Sequence, residues 1–140
     1  MKKLLAILGC GIAAAGIVCA AEAEFPDISI KELKKAIDDK KVVVIDVNGS
    51  ESYAKGHLPT ALDYAAQKAE LGKLLPEKKD TLIVAYCGGP TCSAYQQAAK
   101  AAKELGYTNV KHLSAGISGW LQAEMPTEKG AAKVEEKKKS

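Results

Sequence analysis

The chain contains no arginine: all 20 lysine-plus-arginine positions are lysine, and the net charge over 140 residues is +3. Arginine presents a planar fork that binds a phosphate, a carboxylate or a guanine edge through two hydrogen bonds, and lysine does not reproduce it. Part of the basic excess also lies at the two ends, at Lys2, Lys3 and 137–139. No basic stripe on a folded face is indicated, so nucleic acid is not a predicted partner.

The chain also lacks an internal repeat and any sign of a second domain. Its length suffices for one domain with a moderate core. A zinc site is disfavoured, because Cys87 and Cys92 provide only half of a tetrahedral ligand set and both His57 and His112 would have to converge on them. The sequence therefore predicts no metal and no cofactor.

Residues 1–23 have the pattern of a cleaved secretory signal. Lys2 and Lys3 precede a mostly apolar run over 4–18, and two small-residue exits follow at 18–20 and 21–23. A membrane anchor is disfavoured because the run is short and rich in alanine and glycine. A lipoprotein is a weaker alternative, since Cys10 lies too early and the valine before Cys19 is too large. We expect a periplasmic or secreted protein with no stable membrane anchor after cleavage.

The remaining chain divides into a folded domain at 24–126 and a charged tail at 127–140 that we expect to be disordered, because it lacks apolar periodicity. Apolar runs at 42–45 and 81–86 are typical of strands buried on both faces, and a last strand is predicted at 109–113. Helical patterns begin at a capping box on Ser29 and recur at 65–75, 93–105 and from 115 onwards. Strands that alternate with helices predict an α/β fold with helices on both faces of a parallel sheet.

The strand at 81–86 ends at Cys87, where ligands gather in parallel sheets. A short loop follows, and a helix pattern opens at Ser93. Loop amides and a helix N-terminus stabilise negative charge, which lowers the pKa of a thiol. We therefore predict Cys87 as a nucleophile whose anion is cradled by the amides of the next six residues, which are Gly88, Gly89, Pro90, Thr91, Cys92 and Ser93. The alternative is that Cys87 is a buried cysteine with a purely structural role.

Cys92 has three possible roles. It is a resolving thiol that forms a disulfide with Cys87, a second sulfur carrier, or a small residue that fills space. Four intervening residues allow a disulfide only if the loop curls.

Three motifs resemble those of rhodanese-like domains, in the family's order and over about residues 28–123. The first is Val44-Ile45-Asp46-Val47 followed by the segment from Glu51 to Pro59. The second is Tyr86-Cys87 with its six-residue loop, which has the Cys-Gly-x-Pro-x-Cys pattern that a subset of the family shows. The third, the closing motif, is Glu104-Leu105-Gly106-Tyr107 through Val110 together with Gly116-Ile117-Ser118-Gly119-Trp120. The resemblance implies a central, mostly parallel five-stranded sheet, with Cys87 as the nucleophile.

Four other positions are read as structural. We expect Asp46 to cap the turn after its strand, His57 to tie backbone groups together, Gly116 to belong to the closing motif and Trp120 to anchor the core. We also expect His112 to face the surface.

Many members of the family carry an arginine where this chain has Asn48, and catalytic members often place basic residues in the loop, which here is uncharged.

These observations predict an exported single-domain sulfurtransferase that moves sulfane sulfur through a Cys87 persulfide. Its expected partners are a small sulfur donor and a thiol or other nucleophilic acceptor, with a redox partner protein as a further possibility. Two alternatives remain open: a thiol-disulfide redox protein that uses Cys87 and Cys92, and a non-catalytic persulfide-binding module. A phosphatase of the related fold type is disfavoured, since its loop needs arginine to hold phosphate.

Overall fold

A computed structural model describes residues 24–132. The predicted signal at 1–23 and residues 133–140 lie outside the described residues. Within the described range, no helix combines the length and the apolar character needed to cross a bilayer.

The centre of the fold is a parallel sheet of four strands. They are β1 (Val42–Asp46), β2 (Leu62–Asp63), β3 (Leu82–Tyr86) and β4 (Val110–Leu113), in the spatial order β2-β1-β3-β4. β3 pairs with β1 on one side and with β4 on the other. The predicted α/β class and parallel sheet are confirmed.

The expected fifth strand is not formed within residues 24–132. Its place beside β4 is taken by a single bridge, in which Ile28 N–H donates to the His112 carbonyl (2.9 Å) and His112 N–H donates to the Pro26 carbonyl (3.0 Å). The pairing stops there because Pro26 has no N–H to continue it. On the other side, Ser29 already caps the first helix.

Helices cover both faces of the sheet, as predicted. The bounds are α1 (Ile30–Asp38), α2 (Ser50–Lys55), α3 (Tyr64–Gln67), α4 (Leu71–Leu74), α5 (Tyr95–Glu104) and α6 (Gly116–Gln122). On one face, α4 and α5 bury a core with Ile45, Ile83 and Ala85. On the other, α1, α2 and α6 pack against Val44 and Val84. Successive strand residues point to opposite faces, so both layers are built on the same strands.

The sequence pattern predicted the bounds of α1 well and those of the later helices less well. The capping box is present: Glu32 N–H donates to Ser29 Oγ (3.2 Å) and Ser29 N–H donates to the Glu32 carboxylate (3.1 Å). The single helix expected at 65–75 is instead α3, a 3₁₀ turn (Lys68–Glu70) and α4. The helix after the loop begins at Tyr95 rather than Ser93.

The segment expected to be disordered is paired with the domain at its start. Glu128 and His57 form an antiparallel bridge, with N–H to carbonyl distances of 2.9 and 3.0 Å. Gly130 N–H also donates to the Ala54 carbonyl (3.0 Å), and Thr60 N–H donates to the Glu128 carboxylate (3.2 Å). Because backbone hydrogen bonds need no apolar side chains, composition alone gave no sign of this pairing. The prediction of disorder is wrong for residues 127–132.

Candidate active site

Cys87 follows the last residue of β3, a strand flanked on both sides by other strands. The cysteine is 3% exposed, so strand pairing and the helices around it fix its position. Of the rest of the predicted loop, Gly88 and Gly89 are half-buried, while Pro90, Thr91 and Ser93 are exposed. The site is therefore a buried thiol position roofed by a short loop at the carboxyl edge of the sheet.

The first residues of α6 are hydrogen-bonded to this loop. Ile117 N–H donates to the Cys87 carbonyl (2.9 Å), and Ser118 N–H donates to the Gly88 carbonyl (3.0 Å). Gly116 has φ of +60°, and a Cβ there would lie 2.5 Å from Gly89 N and 2.6 Å from the Cys87 carbonyl oxygen. Glycine is required here both for the left-handed conformation and for the close approach of two backbones.

Most of the loop's amides have no protein acceptor among the described residues. Cys92 N–H donates to the Gly89 carbonyl (3.1 Å). Elsewhere in the part of the chain that the structure describes, the amides of Gly88, Gly89, Thr91 and Ser93 donate to no protein acceptor. Free amides in a tight loop form an anion-binding concavity. The expected cradle for an anion on Cys87 stays a prediction.

Cys87 and Cys92 are joined by a disulfide across the loop. Their Cα atoms are 6.3 Å apart, within the span that such bridges need, so the loop curls as a resolving role requires. The carbonyl oxygen of Cys92 also lies 3.3 Å from Cys87 Sγ. Cys92 is half-buried and therefore more open to solvent than Cys87.

Asp46, at the end of β1, caps the following turn as predicted and does more. Asn48 N–H donates to its Oδ1 (2.7 Å), and the Tyr86 hydroxyl donates to its Oδ2. That hydroxyl also accepts from Leu58 N–H (3.0 Å). Burial raises the pKa of the Asp46 carboxyl, and the hydrogen bonds from Tyr86 and Asn48 oppose that shift only in part. The network fixes the residue that immediately precedes Cys87.

The raised pKa of Asp46 gives a testable pH dependence of stability. The fold favours the protonated carboxyl, so its contribution is fully present below the ordinary pKa of 3.8 and is lost as pH rises through the raised value. The carboxamide in Asp46→Asn does not ionise. We expect the free energy of unfolding of Asp46→Asn, minus that of the wild type, to increase with pH across that range, by about 1.4 kcal/mol per unit of pKa shift.

Urea unfolding of both proteins at a series of pH values measures this difference. Any cost of altering the hydrogen bond with Tyr86 adds the same offset at every pH, so the slope alone carries the prediction. A difference that stays flat or decreases with pH would contradict it.

His57 has the predicted structural role. Its Nδ1 lies 2.7 Å from the Tyr53 carbonyl oxygen, and its ring stacks on the Tyr53 ring with the centroids 3.6 Å apart. Trp120 is fully buried, as expected of a core anchor, and its Nε1–H donates to the Pro126 carbonyl (2.8 Å).

The prediction that His112 faces the surface is wrong. The residue is 8% exposed, its Nδ1 lies 2.9 Å from the Phe25 carbonyl oxygen and its ring stacks on Tyr95. The segment that bridges to β4 covers it, and the sequence pattern of the strand did not reveal that segment. Within residues 24–132, no group of three or more histidine, cysteine, aspartate or glutamate residues is placed to hold a metal ion.

Two residues beside the loop were not predicted as site residues. Ser118 Oγ lies 2.9 Å from the position that a Cβ on Gly89 would occupy, and Asn48 Oδ1 lies 3.8 Å from the corresponding position on Gly88. The Asn48 Nδ2 is buried and has no hydrogen-bond partner among the described residues. The sequence marked Asn48 only as a departure from arginine, because no local pattern shows which loop a side chain reaches.

The amino-acid sequence is similar to those of known proteins. A family model described as Rhodanese-like domain matches residues 29–123. The chain is 35% identical over 105 residues to the HTH-type transcriptional regulator Rv0324 of Mycobacterium tuberculosis, covering 74% of this chain and 45% of the regulator. It is 29% identical over 102 residues to the thiosulfate sulfurtransferase GlpE of Pseudoalteromonas translucida, covering 71% of this chain and 91% of that protein.

Among solved structures, a thiosulfate sulfurtransferase from Pseudomonas aeruginosa superposes with a TM-score of 0.62 at 20% identity, covering 78% of this chain and 21% of that chain. At this identity the likeness shows a shared fold. The chain thus spans less than half the length of the regulator and about a fifth of this structure, whereas it spans nearly all of the small sulfurtransferase.

Proposed function

Because the chain belongs to the rhodanese-like domain family, we propose that it is a sulfurtransferase that carries sulfane sulfur as a persulfide on Cys87. The observation that carries this proposal is the position of Cys87. It lies at the carboxyl end of a central strand, under a loop in which several amides have no protein acceptor within residues 24–132. The sulfurtransferase named among the relatives supports the same activity.

The reaction divides into two displacements at sulfur. The Cys87 thiolate attacks the outer sulfur of the donor, the donor's sulfur bond breaks, and the leaving group departs with the electron pair. The product is a persulfide anion on Cys87. An acceptor thiolate then attacks the outer sulfur, and Cys87 departs as a thiolate. Free amides around the loop suit both the thiolate and the persulfide anion, because these dipoles need no reorganisation during the reaction.

Intact mass spectrometry tests the proposal. We expect the reduced Cys92→Ser variant, which has no second thiol in the loop to remove the sulfur, to gain the mass of sulfur when it is incubated with a sulfane sulfur donor and to return to its starting mass when a thiol acceptor is added. A Cys92→Ser variant that never gains sulfur from thiosulfate, polysulfide or a low-molecular-weight persulfide would rule the proposal out.

The charge around the loop predicts which donor works best. Residues 87–93 carry no formal charge, and no lysine within residues 24–132 forms an ion pair or hydrogen bond with them. Thiosulfate is a dianion, and one well-placed charged hydrogen bond to it would contribute roughly 1.5–3 kcal/mol. Without such contacts, we expect thiosulfate use to be weakened by about tenfold to a hundredfold or more, and less highly charged donors to suffer less.

Steady-state specificity constants for thiosulfate and for a persulfide or polysulfide, measured with one common thiol acceptor, test this preference. We expect the larger constant for the persulfide or polysulfide. A clear preference for thiosulfate would mean that a lysine reaches the loop during catalysis and that the charge argument is wrong.

The bond between Cys87 and Cys92 favours a second candidate, a thiol-disulfide redox protein. The Cys92→Ser variant separates the two: in a thiol-disulfide redox protein that variant gains no sulfur from any donor, whereas in a sulfurtransferase it gains the mass of sulfur. Export remains part of the proposal on the pattern of residues 1–23 alone, and sequencing the amino terminus of protein recovered from the producing cell tests it.

A further inference from the structure

We propose that Cys92 resolves the Cys87 persulfide and releases its sulfur as hydrosulfide. This inference rests on the proposed function, because it needs a persulfide on Cys87. It adds a second outcome for the bound sulfur: instead of passing to an external acceptor, the sulfur is reduced within the loop. An external dithiol then reduces the disulfide that forms between Cys87 and Cys92.

The geometry of the loop carries the first step. The Sγ atoms of Cys87 and Cys92 are within bonding contact, with the Cα atoms 6.3 Å apart. Cys92 is held in this position by its N–H, which donates to the Gly89 carbonyl (3.1 Å), and its own carbonyl oxygen lies 3.3 Å from Cys87 Sγ. The Cys92 thiol therefore reaches the inner sulfur of a persulfide on Cys87, which is the atom that must be attacked to release the outer one.

The step balances in atoms and electrons. The Cys92 thiol loses its proton as it attacks Cys87 Sγ, a new bond forms between the two cysteine sulfurs, and the sulfur–sulfur bond of the persulfide breaks. The outer sulfur departs with the electron pair and takes up the proton, so that it leaves as hydrosulfide. The sulfane sulfur is reduced by two electrons, and the two cysteines are oxidised to the disulfide that the structure contains.

The difference in exposure between the two cysteines favours the step in which an external dithiol reduces the disulfide and restores both thiols. Cys92 is half-buried and Cys87 is 3% exposed, so Cys92 is the more accessible of the two residues to an external dithiol. Attack on Cys92 Sγ expels Cys87 as a thiolate, and the leaving group in such an exchange departs faster when its thiolate is stabilised. The free loop amides favour that thiolate, which is also the form that accepts the next sulfur atom. The dithiol then displaces Cys92 and becomes a disulfide itself.

Resolution also has an advantage over transfer to an outside thiol. A thiol already positioned in the same loop reacts at an effective concentration far above that of a dissolved acceptor. In the predicted export compartment, disulfides persist unless a specific reductant removes them. The loop therefore passes sulfur to an acceptor only when that acceptor outcompetes Cys92.

A single-turnover experiment with thiosulfate tests the inference. Its leaving group is sulfite, so sulfite reports loading of Cys87 and hydrosulfide reports only resolution. Full-length protein in which Cys10 and Cys19 are replaced by serine, called the wild type here because its loop is unchanged, has Cys87 and Cys92 as its only thiols. It is fully reduced, freed of reductant and incubated with excess thiosulfate without any acceptor. We expect the wild type to release sulfite and hydrosulfide in equal amounts and to end two hydrogens lighter than the reduced protein. We expect Cys92→Ser to release sulfite, to gain the mass of sulfur, and to yield hydrosulfide reduced by about tenfold or more.

The matched serine variant also controls for folding, because its sulfite release shows that the site still loads. Equal hydrosulfide from the wild type and Cys92→Ser would overturn the inference, and so would a wild-type protein that keeps its persulfide beside a free Cys92. If neither protein released sulfite from thiosulfate, and Cys92→Ser gained no sulfur from polysulfide or a low-molecular-weight persulfide, the proposed function would be overturned and this inference with it.

Discussion

Cys87→Ser is expected to abolish sulfur loading, with no gain of mass from any donor and no release of sulfite from thiosulfate. Serine keeps the size of the side chain and the loop bonds from α6, but an alkoxide is not formed near neutral pH and oxygen does not form the persulfide. The loss should therefore exceed about a thousandfold, as in other enzymes that lose a covalent nucleophile. Sulfite release and intact mass, measured on the same samples, provide the test.

Cys92→Ser is the matched control for this prediction. It removes the other thiol of the same loop, and we expect it to retain at least part of the loading activity, because Cys92 is not the residue at the strand end. The contrast between the two variants is the informative quantity. Equal and complete loss in both would favour the dithiol mechanism over a persulfide on Cys87.

The parts of the fold that the sequence predicted well are those defined by neighbouring residues. Ser29 and Glu32 cap α1 through contacts three residues apart, and the apolar runs of β1 and β3 predict burial on both faces. Cys87 is found at the end of its strand because the change from apolar residues to glycine is itself local. Local chemistry of this kind is legible in a single sequence.

Apart from the bounds of the later helices, the errors involve contacts between distant residues. The tail pairs with His57 through backbone groups, and the segment around Asp27 covers His112, in each case across more than sixty residues of chain. A backbone bridge has no side-chain signature, so neither contact could be predicted from composition. The same reason explains why Asn48 and Ser118 were not recognised beside the loop, since their positions depend on how β1 and α6 meet β3.

The position of the loop after Cys87 depends on α6, a helix that is more than twenty residues away in the chain. The loop's glycines allow it to turn sharply, but its carbonyls are oriented by amides from Ile117 and Ser118.

Gly116→Ala should therefore damage both stability and sulfur loading. A Cβ at this position would lie 2.5 Å from Gly89 N, 2.6 Å from the Cys87 carbonyl oxygen and 2.6 Å from the Gly88 carbonyl carbon, all of them backbone atoms that cannot rotate away. Forced overpacking costs typically 1–3 kcal/mol, and the left-handed conformation adds about 1–2 kcal/mol for a residue with a Cβ. We expect a loss of about 2–5 kcal/mol in the free energy of unfolding.

Gly56→Ala is the matched control, because Gly56 has extended backbone with φ of 169° and a Cβ there meets no atom within 4 Å. Its effect should stay within about 0.5 kcal/mol. Urea unfolding of both variants measures stability, and sulfite release under conditions where each is fully folded measures loading. In Gly116→Ala the loop must move away from α6 and lose the bonds to the Cys87 and Gly88 carbonyls, so loading should fall by about tenfold or more even in the folded protein. If Gly116→Ala proved as stable and as active as Gly56→Ala, the attachment of the loop to α6 would not be what positions Cys87.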